Sequence, residues 1–228
     1  MKVLAYLDRH AFLGFDLWEF SFLSLFRRYG WVFLFKVVIK HPVRTIKGFL
    51  KYRRWRRGLA DEGEMLFLSP KDSLPKIGKG WLVGVGYCLK PPGSCPSGRF
   101  NHDCALIFSG KGAQVCQDCR IGLMGRRALA SGASVYIMTS AKEVVYEMFL
   151  PMIEEGKYCW VMLFLCPYTS KVMAFPLLIC GVSGLIVKYN SGDCKSYREF
   201  SRADRGDKPE QTTISQAVEG EINKFYLT

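Results

Sequence analysis

No stretch of eighteen residues in this 228-residue chain is free of charge, which argues against a membrane-spanning helix. The first residues, MKVLAYLDRHAFLGF, lack the charged, apolar and small-residue order of a cleavable signal sequence. Acids are scarce at the start: residues 1–58 hold thirteen Lys and Arg against only Asp8, Asp16 and Glu19. The glycines of LVGVG (82–86) have no third partner and no turn into a helix, so dinucleotide binding is rejected. A second Cys-x-x-Cys pair, usual in a zinc knuckle, is also missing. There is no internal repeat and no low-complexity tract.

What remains is a chain that is 49% apolar and carries nine cysteines, enough for a full core. An odd cysteine count without a signal sequence points to a reducing cytoplasm, where clustered thiols more often bind metal or do redox chemistry than form a disulfide scaffold. The net charge of +12 is unevenly spread: residues 1–58 carry +10, and the remainder, with nineteen bases against seventeen acids, carries +2. The pattern predicts three parts: basic aromatic amphipathic helices over 1–58, a linker over 59–80, and a cysteine-rich α/β domain over 81–228.

In the first part, Phe12 to Tyr29 shows a narrow polar stripe on an otherwise apolar helix. Gly30 and the run WVFLF follow, and Pro42 then opens a second helix over about 42–57 or kinks one longer helix. Large aromatics opposite a Lys/Arg face suit an anionic membrane surface or a partner protein. The expected contacts are Trp18, Arg27, Arg28, Lys36, Lys40, Arg44, Lys47, Lys51, Arg53, Arg54, Trp55, Arg56 and Arg57. Packing of the aromatic face on the second domain is the alternative, and nucleic acid is disfavoured because no recognition motif accompanies the arginines. The expected location is cytoplasmic and peripheral at the inner membrane surface, and removal of residues 1–58 is expected to leave a folded domain.

Beyond a linker with one strand near 65–68, the runs at 81–87, 134–138, 160–165 and 184–189 read as strands buried on both faces. Helical patterns over 120–130, 141–156 and 168–178 separate them, with Pro151 and Pro176 weakening the later halves of the last two. This alternation predicts an open parallel sheet with helices on both faces. A terminal helix is expected after Ser215, with Ile214, Val218, Ile222 and Phe225 on one face.

Five cysteines fall between Cys88 and Cys119, separated by six, eight, eleven and two residues, and the last two form Cys-x-x-Cys. In an open parallel sheet, ligands collect at the carboxyl ends of the strands. Cys88 and Cys166 directly follow strands and Cys194 lies five residues beyond another, so Cys88, Cys95, Cys104, Cys116, Cys119, Cys166 and Cys194 are the expected metal ligands. Thiolates bind zinc and iron–sulfur iron, and scattered ligands with a single Cys-x-x-Cys favour an iron–sulfur cluster over zinc. His102, Arg99, Asp103 and Ser140 are candidates for supporting roles, with His102 also a candidate nitrogen ligand or proton donor. Cys159 and Cys180, in apolar runs, are expected to be small core residues.

Cys88-Leu89, Cys95-Pro96, Cys116-x-x-Cys119 followed by Ile121-Gly122, Cys166-Pro167-Tyr168 and Gly192-x-Cys194 together resemble a cysteine-rich family of anaerobic bacteria and archaea catalogued as domain of unknown function 116. The resemblance covers about residues 80–195 and implies an iron–sulfur or other metal site without a settled activity. The chain departs from that pattern at Ala113, where the family has a cysteine, and carries Cys104 instead. The leading expectation is an iron–sulfur or metal-binding accessory protein, suited to electron transfer and docked to a membrane or partner complex. A thiol- or cluster-dependent redox enzyme, with Cys116 and Cys119 as the reactive pair, is the alternative, and a zinc-stabilised nucleic-acid binder is a weaker one.

Overall fold

The computed structural model describes residues 30–58 and 63–226. The helix expected over Phe12–Tyr29, with Trp18, Arg27 and Arg28, lies outside these residues. Five strands form one sheet: β1 (Met65–Phe67), β2 (Trp81–Gly86), β3 (Ser134–Met138), β4 (Trp160–Leu165) and β5 (Ser183–Lys188). Their order across the sheet is β1-β5-β4-β2-β3. β2 pairs in parallel with both β3 and β4, β4 pairs in parallel with β5, and β1 adds an antiparallel edge to β5. The parallel α/β expectation is thus realised, with one antiparallel strand supplied by the supposed linker.

The helices are α1 (Gly30–Phe33), which widens into a π-helical stretch over Leu34–Ile39, and α2 (Pro42–Gly58). Within the cysteine loop come two single turns, α3 (Ala105–Phe108) and α4 (Gln114–Gln117), and then α5 (Arg120–Ala130). After β3, α6 (Ala141–Val144) runs on through wider turns to Glu155. Then follow α7 (Pro167–Cys180), α8 (Tyr197–Ala203) and α9 (Gln216–Asn223). Pro176 does not end α7, contrary to the expectation that its later half would be weak. The proline withholds one amide from the carbonyl a turn earlier, while Ala174, Leu177, Leu178 and Ile179 remain anchored in the core. Ser215 caps α9 through the Val218 amide, and Ile214, Val218, Ile222 and Phe225 are buried as the sequence predicts.

Strand alternation divides the core into two layers. Leu82, Val161, Leu163 and Ile186 face α6 and α7, whereas Val83, Val85, Met162, Phe164 and Val187 face α5 and α9. Residues 30–58 share the first layer. Val37 and Tyr52 are buried there, Phe175 makes T-shaped contacts with Phe49 and Tyr52, and Trp55 Nε1 donates to Phe67 O at 2.7 Å. At Gly48 the helices meet so closely that a Cβ would stand 2.6 Å from Ile179 Cα. Full burial of a large apolar side chain contributes about 1.5–3 kcal/mol, so Val37 and Tyr52 alone make this contact part of the fold. Residues 30–58 are therefore packed on α7, and Tyr52 and Trp55 face inward. Among the described residues no helix is long and apolar enough to cross a membrane.

Candidate functional site

After β2 the chain moves to β3 on one side, and after β4 it moves to β5 on the other. The carboxyl ends of β2 and β4 therefore flank the point where the winding reverses, the usual ligand crevice of an open α/β sheet. Cys88 follows β2 there, and Cys166 follows β4 as the residue preceding α7. Cys194, on the segment after β5, places its backbone N–H 3.3 Å from Cys166 Sγ. Glycine at position 86 opens the crevice: a Cβ would lie 2.7 Å from the Tyr189 hydroxyl and 3.0 Å from Cys88 Sγ, and the bare amide donates to Tyr189 Oη at 3.0 Å. These three thiols form the first cysteine group.

Its electrostatics are uneven. Cys166 and Cys194 share a hydrogen bond that raises the Cys166 thiol, helped by burial, and lowers Cys194, for which the Lys208 ammonium is a further stabiliser. Cys166 is thus the proton holder and Cys194 the incipient thiolate. Burial pushes Cys88 up, opposed by hydrogen bonds from Thr212 and Tyr189.

The second group is carried by the loop that leaves this crevice. Cys95, Cys104, Cys116 and Cys119 line one small cavity of about 10 Å³ together with Lys90, Leu106, Ile121 and Gly122. That is about the room of one water-sized occupant. Cys104 immediately precedes α3, Cys116 lies in α4, and Cys119 stands at the amino end of α5. Two glycines of α5 make this possible. A Cβ at Gly122 would come within 2.6 Å of Leu106 Cδ2, and one at Gly125 within 2.2 Å of Ile107 Cδ1, so α3 nests directly on α5.

Lys90 organises the loop from inside. It is 1% exposed, and its Nζ donates to the carbonyls of Gly98 (3.1 Å), Asn101 (3.0 Å) and Asp103 (2.8 Å) and to Asn101 Oδ1 at 2.7 Å. Burial lowers its pKa, and the neighbouring Cys95 and Cys104 oppose that shift. Burial also pushes the Cys104 thiol up, opposed by the Ile107 and Leu106 backbone amides and by the Lys90 charge. Arg99 joins the two groups: its guanidinium donates to the carbonyls of Cys88 (3.4 Å), Lys208, Pro209 (3.2 Å) and Glu210. Its role is therefore a clamp on the backbone around both sites.

The seven expected ligands thus form a trio and a quartet. Among the described residues, no three His, Cys, Asp or Glu side chains converge closely enough to hold a metal ion as they stand, so ligation by the quartet requires its thiols to turn further into the cavity. His102 turns away from the cysteines. Its Nδ1 lies 2.7 Å from Ile137 O, its Nε2 faces Thr139 (3.2 Å), Glu143 (3.5 Å) and Glu147 (3.8 Å), and its ring stacks on Tyr136. Ser140 is occupied in a capping box with Glu143, whose carboxyl is held low chiefly by the Thr139 hydroxyl. Asp103 is exposed and contributes its carbonyl to Lys90.

Cys180 is buried, with its thiol facing Phe149 O at 3.7 Å and pushed up to about 12 by burial. Cys159 is exposed, contrary to the expectation of a core residue, because it lies in the bend before β4 rather than in the strand. Sequence reasoning missed Lys90, Tyr189, Lys208 and Thr212. The first two had a signal, since each lies within two residues of a strand's or turn's end at the carboxyl edge; the others come from the polar tail.

Compared with family models, with curated proteins and with solved structures, the chain matches none.

Proposed function

We propose that Cys95, Cys104, Cys116 and Cys119 form a four-thiolate metal centre, making the protein a metal-binding accessory or electron-transfer component. The carrying observation is that four thiols spread along the loop from Cys95 to the start of α5 line one cavity beside the buried Lys90 ammonium. Iron or zinc suits an all-sulfur ligand set. The cavity has room for a single ion, and an iron–sulfur cluster requires the loop between Cys95 and Cys119 to open. When bound, iron would supply a one-electron couple, whereas zinc would brace the loop. The chain's own part is to position four thiols and to offset the negative charge of bound thiolates with Lys90.

Anaerobic purification followed by metal and acid-labile sulfide analysis tests this. Stoichiometric metal that persists in a Cys88→Ser/Cys194→Ser protein and is lost from Cys116→Ser/Cys119→Ser supports the quartet. Metal lost from the first variant and retained by the second contradicts it.

A second reading belongs to the trio, favoured by the Cys166–Cys194 thiol contact and by Lys208 beside Cys194; the Cys194 amide on Cys166 Sγ holds the two together although it opposes the rise at Cys166. Cys194 is 3% exposed, so dithiol exchange requires the segment after β5 to open; the Cys194 thiolate then attacks an organic disulfide and expels one thiolate. Cys166 then attacks the mixed disulfide, expelling the second thiolate, which takes up the Cys166 proton. The dithiol is oxidised as the substrate disulfide is reduced. This moves the reactive pair from Cys116 and Cys119 to the sheet edge. Incubation with oxidised glutathione and peptide mapping reads it: a Cys166–Cys194 disulfide supports the exchange, and exclusive linkage of Cys116 to Cys119 opposes it.

A further inference from the structure

The helices that cover α7 turn one apolar face to it and a second apolar face outward. Trp31, Phe35, Ile39, Val43, Ile46 and Leu50 recur at steps of three or four residues and are each 51–63% exposed. Trp31 and Phe35 stack at 5.4 Å, continuing the line into α1. Isolated exposed apolar residues are ordinary, but six in one row along two successive helices form a contiguous patch that marks an interaction surface.

The charge around the row selects its occupant. Residues 30–58 contain nine Lys and Arg and no Asp or Glu. Exposed Lys36, Lys47, Lys51, Arg54 and Arg57 border the stripe or continue its line. A second copy of the chain would set these cations against one another. Residues 1–29, with four bases and three acids, have no negative excess to neutralise them. At the far end, Lys51 and Arg54 also line an open groove of about 680 Å³ bounded by Met65, Phe67 and Leu178, a mixture of cationic rim and apolar wall that matches an anionic amphiphile.

We propose that this stripe seats the protein on an anionic lipid bilayer, with α2 lying in the interface and its cations among the headgroups. This surface differs from the one the aromatic pattern suggests: Tyr52 and Trp55 turn inward, and the row from Trp31 to Leu50 carries the contact. The geometry also sets an orientation. α2 covers the α7 layer, whereas the cysteine loop nests on α5 across the sheet, so docking leaves the thiol quartet on the side away from the lipid. The inference is independent of what the thiols hold.

Co-sedimentation of the full chain with phosphatidylcholine vesicles, with and without phosphatidylglycerol, tests it. Binding is expected only with the anionic lipid, weakening as salt rises. Ile46→Ser/Leu50→Ser should reduce partitioning more than about tenfold, and Lys47→Ser/Arg54→Ser about fivefold for each charge removed. Because these side chains are exposed, the urea midpoint and any bound metal should be unchanged. Three results would overturn the proposal: absence of binding, unchanged binding by the stripe variant, or a wild-type dimer that the stripe variant converts to monomer.

Discussion

The backbone N–H of Cys194 points at Cys166 Sγ from 3.3 Å, although 28 residues of chain separate the two. With Cys166 holding the proton and Lys208 favouring the charge on Cys194, the pair has an unequal division of labour. Both thiols are buried, so labelling is slow, but its pH dependence should fall below the ordinary thiol range for Cys194 and well above it for Cys166. Mass-spectrometric mapping of iodoacetamide labelling against pH checks this. Lys208→Met should move the Cys194 profile upward, and an unmoved profile would remove Lys208 from the account.

Lys90 ties three carbonyls and one side-chain amide to a single ammonium inside the cysteine loop. Lys90→Met leaves all four acceptors without that donor. Hydrogen bonds to a charged group contribute about 1.5–3 kcal/mol, so the loop should loosen by at least that much. Faster alkylation of Cys95 and Cys104, with Cys180 unchanged, is the expected readout; equal protection in the variant would mean that other contacts hold the loop.

Gly48→Leu places side-chain atoms where Ile179 backbone already stands. Overpacking of this kind typically costs about 1–3 kcal/mol. Urea denaturation should show that loss, whereas Val43→Ala on the outward face of the same helix should stay within about 0.5 kcal/mol of wild type. Deleting residues 30–58 should cost far more than either, since Val37 and Tyr52 leave the core with it.

The contrast between those two faces shows what the sequence could carry. Runs such as SVYIM and WVMLFL are continuous and apolar, and they are β3 and β4 to the residue; RIGLMGRRALA is likewise α5. Buried parallel strands and an amphipathic helix follow from local pattern alone. Around α2 the pattern is ambiguous because Phe49, Tyr52 and Trp55 are apolar on one side and Val43, Ile46 and Leu50 on the other. The side that meets α7 is decided by the backbone approach at Gly48, which has no signature in periodicity.

The cysteines divide for a similar reason. Strand ends bring Cys88, Cys166 and Cys194 together, as the topology implies, but whether the intervening loop folds over them depends on how it packs. Gly122 and Gly125 admit Leu106 and Ile107 onto α5 and so draw Cys104 to Cys116 and Cys119 instead. The strand near 65–68 was legible, but not its antiparallel place beside β5, nor the short α8, held by the Tyr87 hydroxyl on Ala203 O at 2.5 Å.

Chelation gives a further prediction. If the quartet holds metal, prolonged treatment with a strong chelator should expose Cys95, Cys104, Cys116 and Cys119 to alkylation while Cys180 stays protected, and the sheet should keep its circular-dichroism signal. Simultaneous loss of sheet structure would mean that metal stabilises the whole fold rather than the loop.

X-ray absorption at the edge of the bound metal tests the four-thiolate centre most directly. The account predicts a first shell of four sulfurs, at about 2.3 Å if the ion is zinc, and its disappearance in Cys116→Ser/Cys119→Ser. A shell dominated by nitrogen or oxygen, or an unaltered sulfur shell in that variant, would contradict it.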